Sequence, residues 1–123
     1  DGTYQKVAEN FLNVFEKAGY DFVRYSEIDL KGVSRDMADD ILNILLTEGK
    51  VVRVTEEMYT LAEYMEQAKE KIKAHLADDP LITIAQVRDM FGTSRKSAKP
   101  ILEYMDALKI TKKMGAESER VAY

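Results

Sequence analysis

Apolar residues recur at helical spacing in two stretches of the chain, and each stretch ends in a run with the pattern of a β-hairpin. In the first stretch, Val7, Phe11 and Phe15 fall on one face, as the core side of an amphipathic helix requires. This stretch is predicted to form three helices and a hairpin, over residues 4–18, 26–31, 34–48 and 50–61. Three helices closed by a hairpin are typical of a winged helix, a helix-turn-helix with a β wing.

The second stretch repeats this plan about sixty residues later. Ser34-Arg35 returns as Ser94-Arg95, and Gly32 returns as Gly92. The predicted elements of this stretch are helices and strands over residues 62–77, 81–82, 83–91, 93–109, 110–114 and 120–123. The repeat therefore predicts two tandem winged-helix domains, 1–61 and 62–123, in a mainly α fold with small β-hairpins (α+β).

Local signals refine these elements. Thr83 and Gln86 have the spacing of a capping box, and Ser26 and Asp29 form a weaker version of the same signal. Pro100 lies inside the last predicted helix, so we expect a bend or an irregular first turn there. The inward face of that helix is predicted to hold Ala98, Ile101, Leu102, Met105 and Leu108.

The composition excludes several classes of site. The chain has no cysteine, which rules out cysteine-based zinc sites and thiol nucleophiles and favours the cytoplasm over a secreted, disulfide-rich fold. His75 is the only histidine, and no glycine-rich phosphate loop occurs. We therefore expect no catalytic site, no metal site and no cofactor site. The start of the chain, which is neither a signal peptide nor an initiator Met, suggests a fragment of a longer protein.

Charge is distributed unevenly between the two repeats. Residues 1–61 hold 7 basic and 12 acidic side chains, whereas residues 84–123 hold 8 basic and 5 acidic side chains. A basic C-terminal part in a chain of net charge −4 points to an anionic partner, although scattered solvated charge would give the same counts.

Basic residues crowd the start of the last predicted helix. Ser94, Arg95, Lys96 and Lys99 lie in its first turns, where backbone N–H groups already favour an anion. Cations are unfavourable to the helix itself at that end, and a bound phosphate would offset this cost. The equivalent start in the first repeat is followed by Asp39-Asp40, which would repel phosphates.

The predicted wing of the second repeat adds to this basic surface. Lys112 and Lys113 lie on its first strand, Arg120 lies on the returning strand, and Gly115 would allow close approach at the turn. If the helix start and the wing lie close together, they could follow a phosphate backbone. A solvated basic face without a ligand remains the alternative on these residues alone.

The run from Thr83 to Lys96, TIAQVRDMFGTSRK, and the run PILEYMD beginning at Pro100 resemble the last winged-helix domain of SelB, the bacterial selenocysteine-specific translation elongation factor. The resemblance covers about forty residues near the C-terminus. It implies that the final domain binds an mRNA hairpin, the selenocysteine insertion element, beside an in-frame UGA codon. It also implies that the preceding domain acts as a rigid arm.

The resemblance carries over to individual residues. Ser94, Arg95 and Lys96 match the helix-start motif, and the wing match consists of Thr111, Lys112, Lys113, Gly115 and Arg120. We assign Arg95, Lys96, Lys112 and Lys113 to phosphates. Arg120 and the wing tip, 115–119, are assigned to bases, because RNA hairpins are read mainly at unpaired nucleotides.

The implied parent protein would be a GTPase that uses GTP and magnesium and carries selenocysteinyl-tRNA to the ribosome. The fragment itself is expected to be a monomer without membrane contact, bound to an mRNA stem-loop. Two other functions stay open at this stage. A tandem winged-helix DNA-binding regulator would place its third helix in the major groove. A protein-interaction module would bind no nucleic acid.

Overall fold

The computed structural model describes residues 2–115 and 118–123, and this part of the chain forms two compact units. The first unit is Asp1–Glu63 and the second is Tyr64–Tyr123, two residues later than the boundary expected from the repeat. Each unit contains three helical segments and a β-hairpin, which confirms the predicted α+β class and the winged-helix plan.

The first unit is built from two helices, one 3-10 turn and a small sheet. Helix α1 spans Gly2–Ala18, β1 spans Val23–Arg24, a 3-10 turn spans Tyr25–Glu27, α2 spans Arg35–Thr47, β2 spans Val51–Arg53 and β3 spans Met58–Leu61. The three antiparallel strands have the order β1-β3-β2, with Val51 opposite Leu61. The core is formed by large apolar side chains from both helices and the sheet, chiefly Phe11, Phe15, Leu42, Leu45 and Val51.

One predicted helix of the first unit is wrong. Instead of a helix over 26–31, the chain forms the shorter 3-10 turn Tyr25–Glu27. The backbone N–H of Tyr25 donates to the carbonyl of Glu57 across the sheet, and Ile28 has an extended backbone. Asp29 does not complete a capping box; its carboxylate accepts from the N–H of Lys31 and stabilises the following turn.

The second unit contains three helices and a two-stranded wing. Helix α3 spans Ala62–Asp78, with its first two residues in the first unit; α4 spans Ile84–Met90, α5 spans Arg95–Ala107, β4 spans Thr111–Lys113 and β5 spans Arg120–Ala122. The predicted edge strand at 81–82 is present as a single bridge between Ile82 and Arg120. The half-buried His75 holds the α3–α4 loop, because its Nε2 atom lies 2.8 Å from the Leu81 carbonyl oxygen.

Local signals set the ends of the helices in the second unit. The Thr83 hydroxyl accepts from the Gln86 N–H at 3.1 Å while the Gln86 side chain accepts from the Thr83 N–H at 2.9 Å, which confirms the predicted capping box. Helix α5 continues through the buried Pro100 and ends at Ala107. Leu108 therefore leaves the helix face and is 50% exposed, so its prediction as a core residue is wrong.

Candidate nucleic-acid interface

The start of α5 presents exposed cations beside an uncapped helix end. Ser94 is the N-cap residue, but its hydroxyl makes no capping hydrogen bond and the first turn holds no acidic residue. Arg95, Lys96 and Lys99 are exposed, and no ion pair in the described part of the chain includes any of them. Backbone N–H groups at such an end attract anions, and the three cations add to this attraction.

The corresponding helix start in the first unit is already occupied by its own side chains. The guanidinium of Arg35 lies 4.9 Å from the ring centroid of Tyr25, and the Tyr25 hydroxyl donates a hydrogen bond to Asp39. Burial and this hydrogen bond raise the pKa of the Tyr25 phenol well above its ordinary value. The Ser34 hydroxyl accepts from the N–H of Met37, so this end of α2 is capped and neutralised.

When the two units are aligned at the repeat offset of sixty residues, their helix starts differ at three corresponding positions. The Ser34 side chain caps its helix, whereas the Ser94 side chain makes no capping hydrogen bond. Lys99 occupies the position that corresponds to Asp39, and Ala85 occupies the position that corresponds to Tyr25. Arg95 therefore lacks a counterpart of the Tyr25 ring that Arg35 contacts, and no counterpart of Asp39 lies at its helix start. Of these two matching helix starts, only that of α5 is open to an external anion in the described structure.

The wing of the second unit exposes further cations. Lys112 and Lys113 of β4 are both exposed, and so are Met114 and Gly115 at the turn that follows. Gly115 has φ +60°, a conformation that glycine adopts without strain. Ala116 and Glu117, which were predicted to lie in the wing tip, are outside the described residues. The described part of the wing thus supplies two lysines and an open turn.

Arg120, which we assigned to bases, has a side chain that is only 3% exposed. Arg120 Nε and Nη2 donate to Oδ2 of Asp106 at 3.1 and 2.9 Å, and Nη1 donates to the carbonyl of Ser118 at 2.6 Å. Arg120 therefore joins the wing to the last turn of α5 instead of facing solvent.

Thr111, which the resemblance assigns to the RNA contacts, is also fully buried. Its hydroxyl donates to Oδ1 of Asp106 at 2.7 Å. Asp106 is the residue that sequence reasoning missed. A carboxylate near the C-terminal end of a helix is unfavourable to the helix dipole, and this placement was the available signal that Asp106 has a cationic partner.

Two other kinds of feature are not found among the described residues. Among residues 2–115 and 118–123, no group of three His, Asp or Glu side chains is placed to hold a metal ion. No described helix is long and apolar enough to cross a membrane.

Comparisons with known proteins agree on one family. Residues 74–117 match the family model described as elongation factor SelB, winged helix. A selenocysteine-specific elongation factor from Desulfomicrobium baculatum is 29% identical over 82 residues, which make up 67% of this chain and 13% of that protein. The chain therefore spans about an eighth of the length of this relative.

Two solved structures share the fold of the chain. The mRNA-binding domain of elongation factor SelB from E. coli, solved in complex with SECIS RNA, has a TM-score of 0.78 at 18% identity; the match covers 98% of this chain and 96% of that one. A bacterial selenocysteine-specific elongation factor, EF-Sec, has a TM-score of 0.71 at 20% identity, over 100% of this chain and 18% of that one. The family model, the relative in sequence and the two solved structures thus all show the same likeness: the chain is similar to the tandem winged-helix segment of SelB elongation factors.

Proposed function

We propose that the second unit binds an mRNA hairpin, the selenocysteine insertion element, and thereby tethers a selenocysteine-specific elongation factor to the message for UGA recoding. The observation that carries the proposal is the uncapped start of α5 with its three exposed, unpaired cations. The fold is that of a SelB domain solved with SECIS RNA, which indicates the class of ligand that this surface fits.

The contacts divide into two groups. Arg95, Lys96 and Lys99 hold phosphates at the helix start, where the Ser94 hydroxyl and the free N–H groups donate further hydrogen bonds. Lys112 and Lys113 hold phosphates from the wing, and Gly115 lets the RNA backbone approach closely. Base reading belongs to the exposed turn beyond β4, because the buried Arg120 and Thr111 support the wing instead.

The first unit acts as an arm. Its helix start is neutralised by Tyr25 and Asp39, and residues 1–61 carry an excess of acidic side chains. An acidic surface of this kind repels the phosphate backbone and so leaves RNA binding to the second unit.

The wider context belongs to the longer protein of which the chain is a part. GTP and magnesium would be bound by a GTPase domain outside this chain, and the ribosome and selenocysteinyl-tRNA would be reached through it. We assign the chain itself no catalytic step and no cofactor, and we place its work in the cytoplasm, as a monomer.

The proposal is tested by measuring the affinity of the 123-residue chain for a panel of selenocysteine insertion hairpins as a function of salt concentration. We expect tight, salt-sensitive binding to at least one hairpin and much weaker binding to versions with a scrambled loop. The double variant Arg95→Ala/Lys96→Ala should lower the affinity and flatten the salt dependence by about one to two units of slope, since each lost phosphate contact removes about 0.7–0.9.

The matched control is Arg35→Ala, at the same position of the repeat in the first unit. It should leave RNA affinity unchanged, because Arg35 contacts Tyr25. Equal binding to scrambled hairpins, or a preference for duplex DNA in competition, would contradict the proposed function.

A further inference from the structure

A groove of about 470 Å³ lies at the base of the wing, away from the tip, between the C-terminal part of α3 and the hairpin. Apolar side chains that include Leu76 and Ile110 line part of it, and Tyr123 lines another part. Among the described residues that line the groove, the two with charged side chains are Lys73 and Lys109. No ion pair in the described chain includes either lysine, so their charges are available to an external anion.

Lys109 occupies a backbone position that disfavours it. Its φ is +60°, in the left-handed region where a side chain with a Cβ atom is strained. The corresponding residue sixty positions earlier is Gly49, with φ +74°, which adopts this conformation freely. Both residues follow the helix that precedes the wing, so the backbone geometry is the same and only the side chain differs. Strain of this kind clusters at functional sites, so the Lys109 side chain is a candidate for a role beyond the fold.

Tyr123 supplies an aromatic surface beside these lysines. The residue is 63% exposed, and the Nζ atom of Lys112 lies 5.9 Å from its ring centroid. Lys112 belongs to the wing strand β4 and is one of the cations assigned to phosphates, so Tyr123 lies next to the candidate RNA interface. Exposed aromatic rings stack on unpaired bases, and neighbouring lysines hold the phosphates of the same strand.

We propose that this groove holds an unpaired nucleotide of the bound RNA, with its base against Tyr123 and its phosphate beside Lys73 and Lys109. The inference rests on the proposed function and extends the RNA footprint from the wing to the base of the hairpin. The Tyr123 ring and the apolar lining of the groove suit the base, and the two lysines suit the phosphate. An acidic peptide is the competing ligand, and the experiment separates the two.

The test compares the tightest-binding hairpin of the panel with the same hairpin carrying a short single-stranded adenosine extension, placed at the 5′ or the 3′ end in turn. We expect one extension to tighten binding about tenfold, in the range of base–aromatic stacking. Lys109→Gly and Tyr123→Ala should each abolish this gain and leave the affinity for the plain hairpin unchanged. Tyr123→Phe should keep the gain, because the ring is preserved.

Lys109→Gly separates binding from folding, because glycine relieves the strained backbone and should raise the melting temperature while the gain is lost. The matched control is Lys31→Gly, at the other non-glycine residue with positive φ in the described chain, φ +56°. It should raise the melting temperature in the same way and leave RNA affinity unaltered.

Two results would overturn the inference. If the plain hairpin binds but neither extension tightens it, the groove holds no nucleotide and the proposed function still stands. If a glutamate-rich peptide with an aromatic residue binds in a Lys109-dependent manner and the extensions have no effect, the groove serves a protein partner. Failure of the plain hairpin itself to bind would count against the proposed function instead.

Discussion

The ion pair between Arg120 and Asp106 makes a quantitative prediction about how the wing is held. Asp106→Ala removes the carboxylate that accepts from Arg120 and from the Thr111 hydroxyl. It leaves a guanidinium that is 3% exposed with only the Ser118 carbonyl as an acceptor. Loss of one partner of a fully buried ion pair costs about 3–5 kcal/mol of unfolding free energy. The cost is expected to be smaller here, because the Asp106 side chain is 27% exposed. We therefore expect a loss of about 2–3 kcal/mol of unfolding free energy in the second unit.

The measurement is urea unfolding of the whole chain followed by NMR on amides of the second unit. The amides of Ile82 and Arg120 are suitable, because each donates to the carbonyl of the other residue. The matched control is Asp89→Ala, which breaks an exposed pair with Arg88 at a similar distance, 3.0 Å, and should cost at most about 1 kcal/mol. If Asp106→Ala costs no more than Asp89→Ala, the Arg120 pair does not hold the wing and our reason for removing Arg120 from the RNA contacts fails.

Two smaller predictions concern single side chains. Ser34→Ala should destabilise the first unit by about 1 kcal/mol, because the Ser34 hydroxyl caps α2. Ser94→Ala should leave the stability of the second unit unchanged, because the Ser94 hydroxyl makes no capping hydrogen bond. Equal losses of stability in thermal unfolding would show that both serines act as caps. Thr60→Val should raise the stability of the first unit by about 1 kcal/mol, because the buried Thr60 hydroxyl has no hydrogen-bond partner in the described chain. A lower melting temperature for Thr60→Val would show that this hydroxyl is satisfied.

The features that the sequence predicted correctly depend on neighbours within a few residues. The capping box of Thr83 and Gln86 closes within one turn, and Ser34-Arg35 and its repeat Ser94-Arg95 both lie at the start of a helix. The inward residues Phe11 and Phe15 are buried as expected, because one helical period determines which side chains share a face.

The features that the sequence did not reveal depend on partners far away in the chain. The Tyr25 N–H pairs with Glu57, which shortens the expected helix to a single turn. Arg120 was assigned to bases because an arginine on a wing strand suits that role, yet its partner Asp106 lies fourteen residues earlier and withdraws it from solvent. Charge and position alone could not distinguish this buried guanidinium from the exposed amino groups of Lys112 and Lys113.

The most direct test of the central claim is an NMR map of backbone amide shifts in the full chain as a selenocysteine insertion hairpin is added. We predict that the shifts concentrate at residues 94–99 and 112–115 of the second unit, where exposed cations and the uncapped helix end lie. Residues 34–39, which form the neutralised start of α2, should not respond. A footprint centred on the first unit, or no shifts at RNA concentrations that saturate binding, would contradict the account.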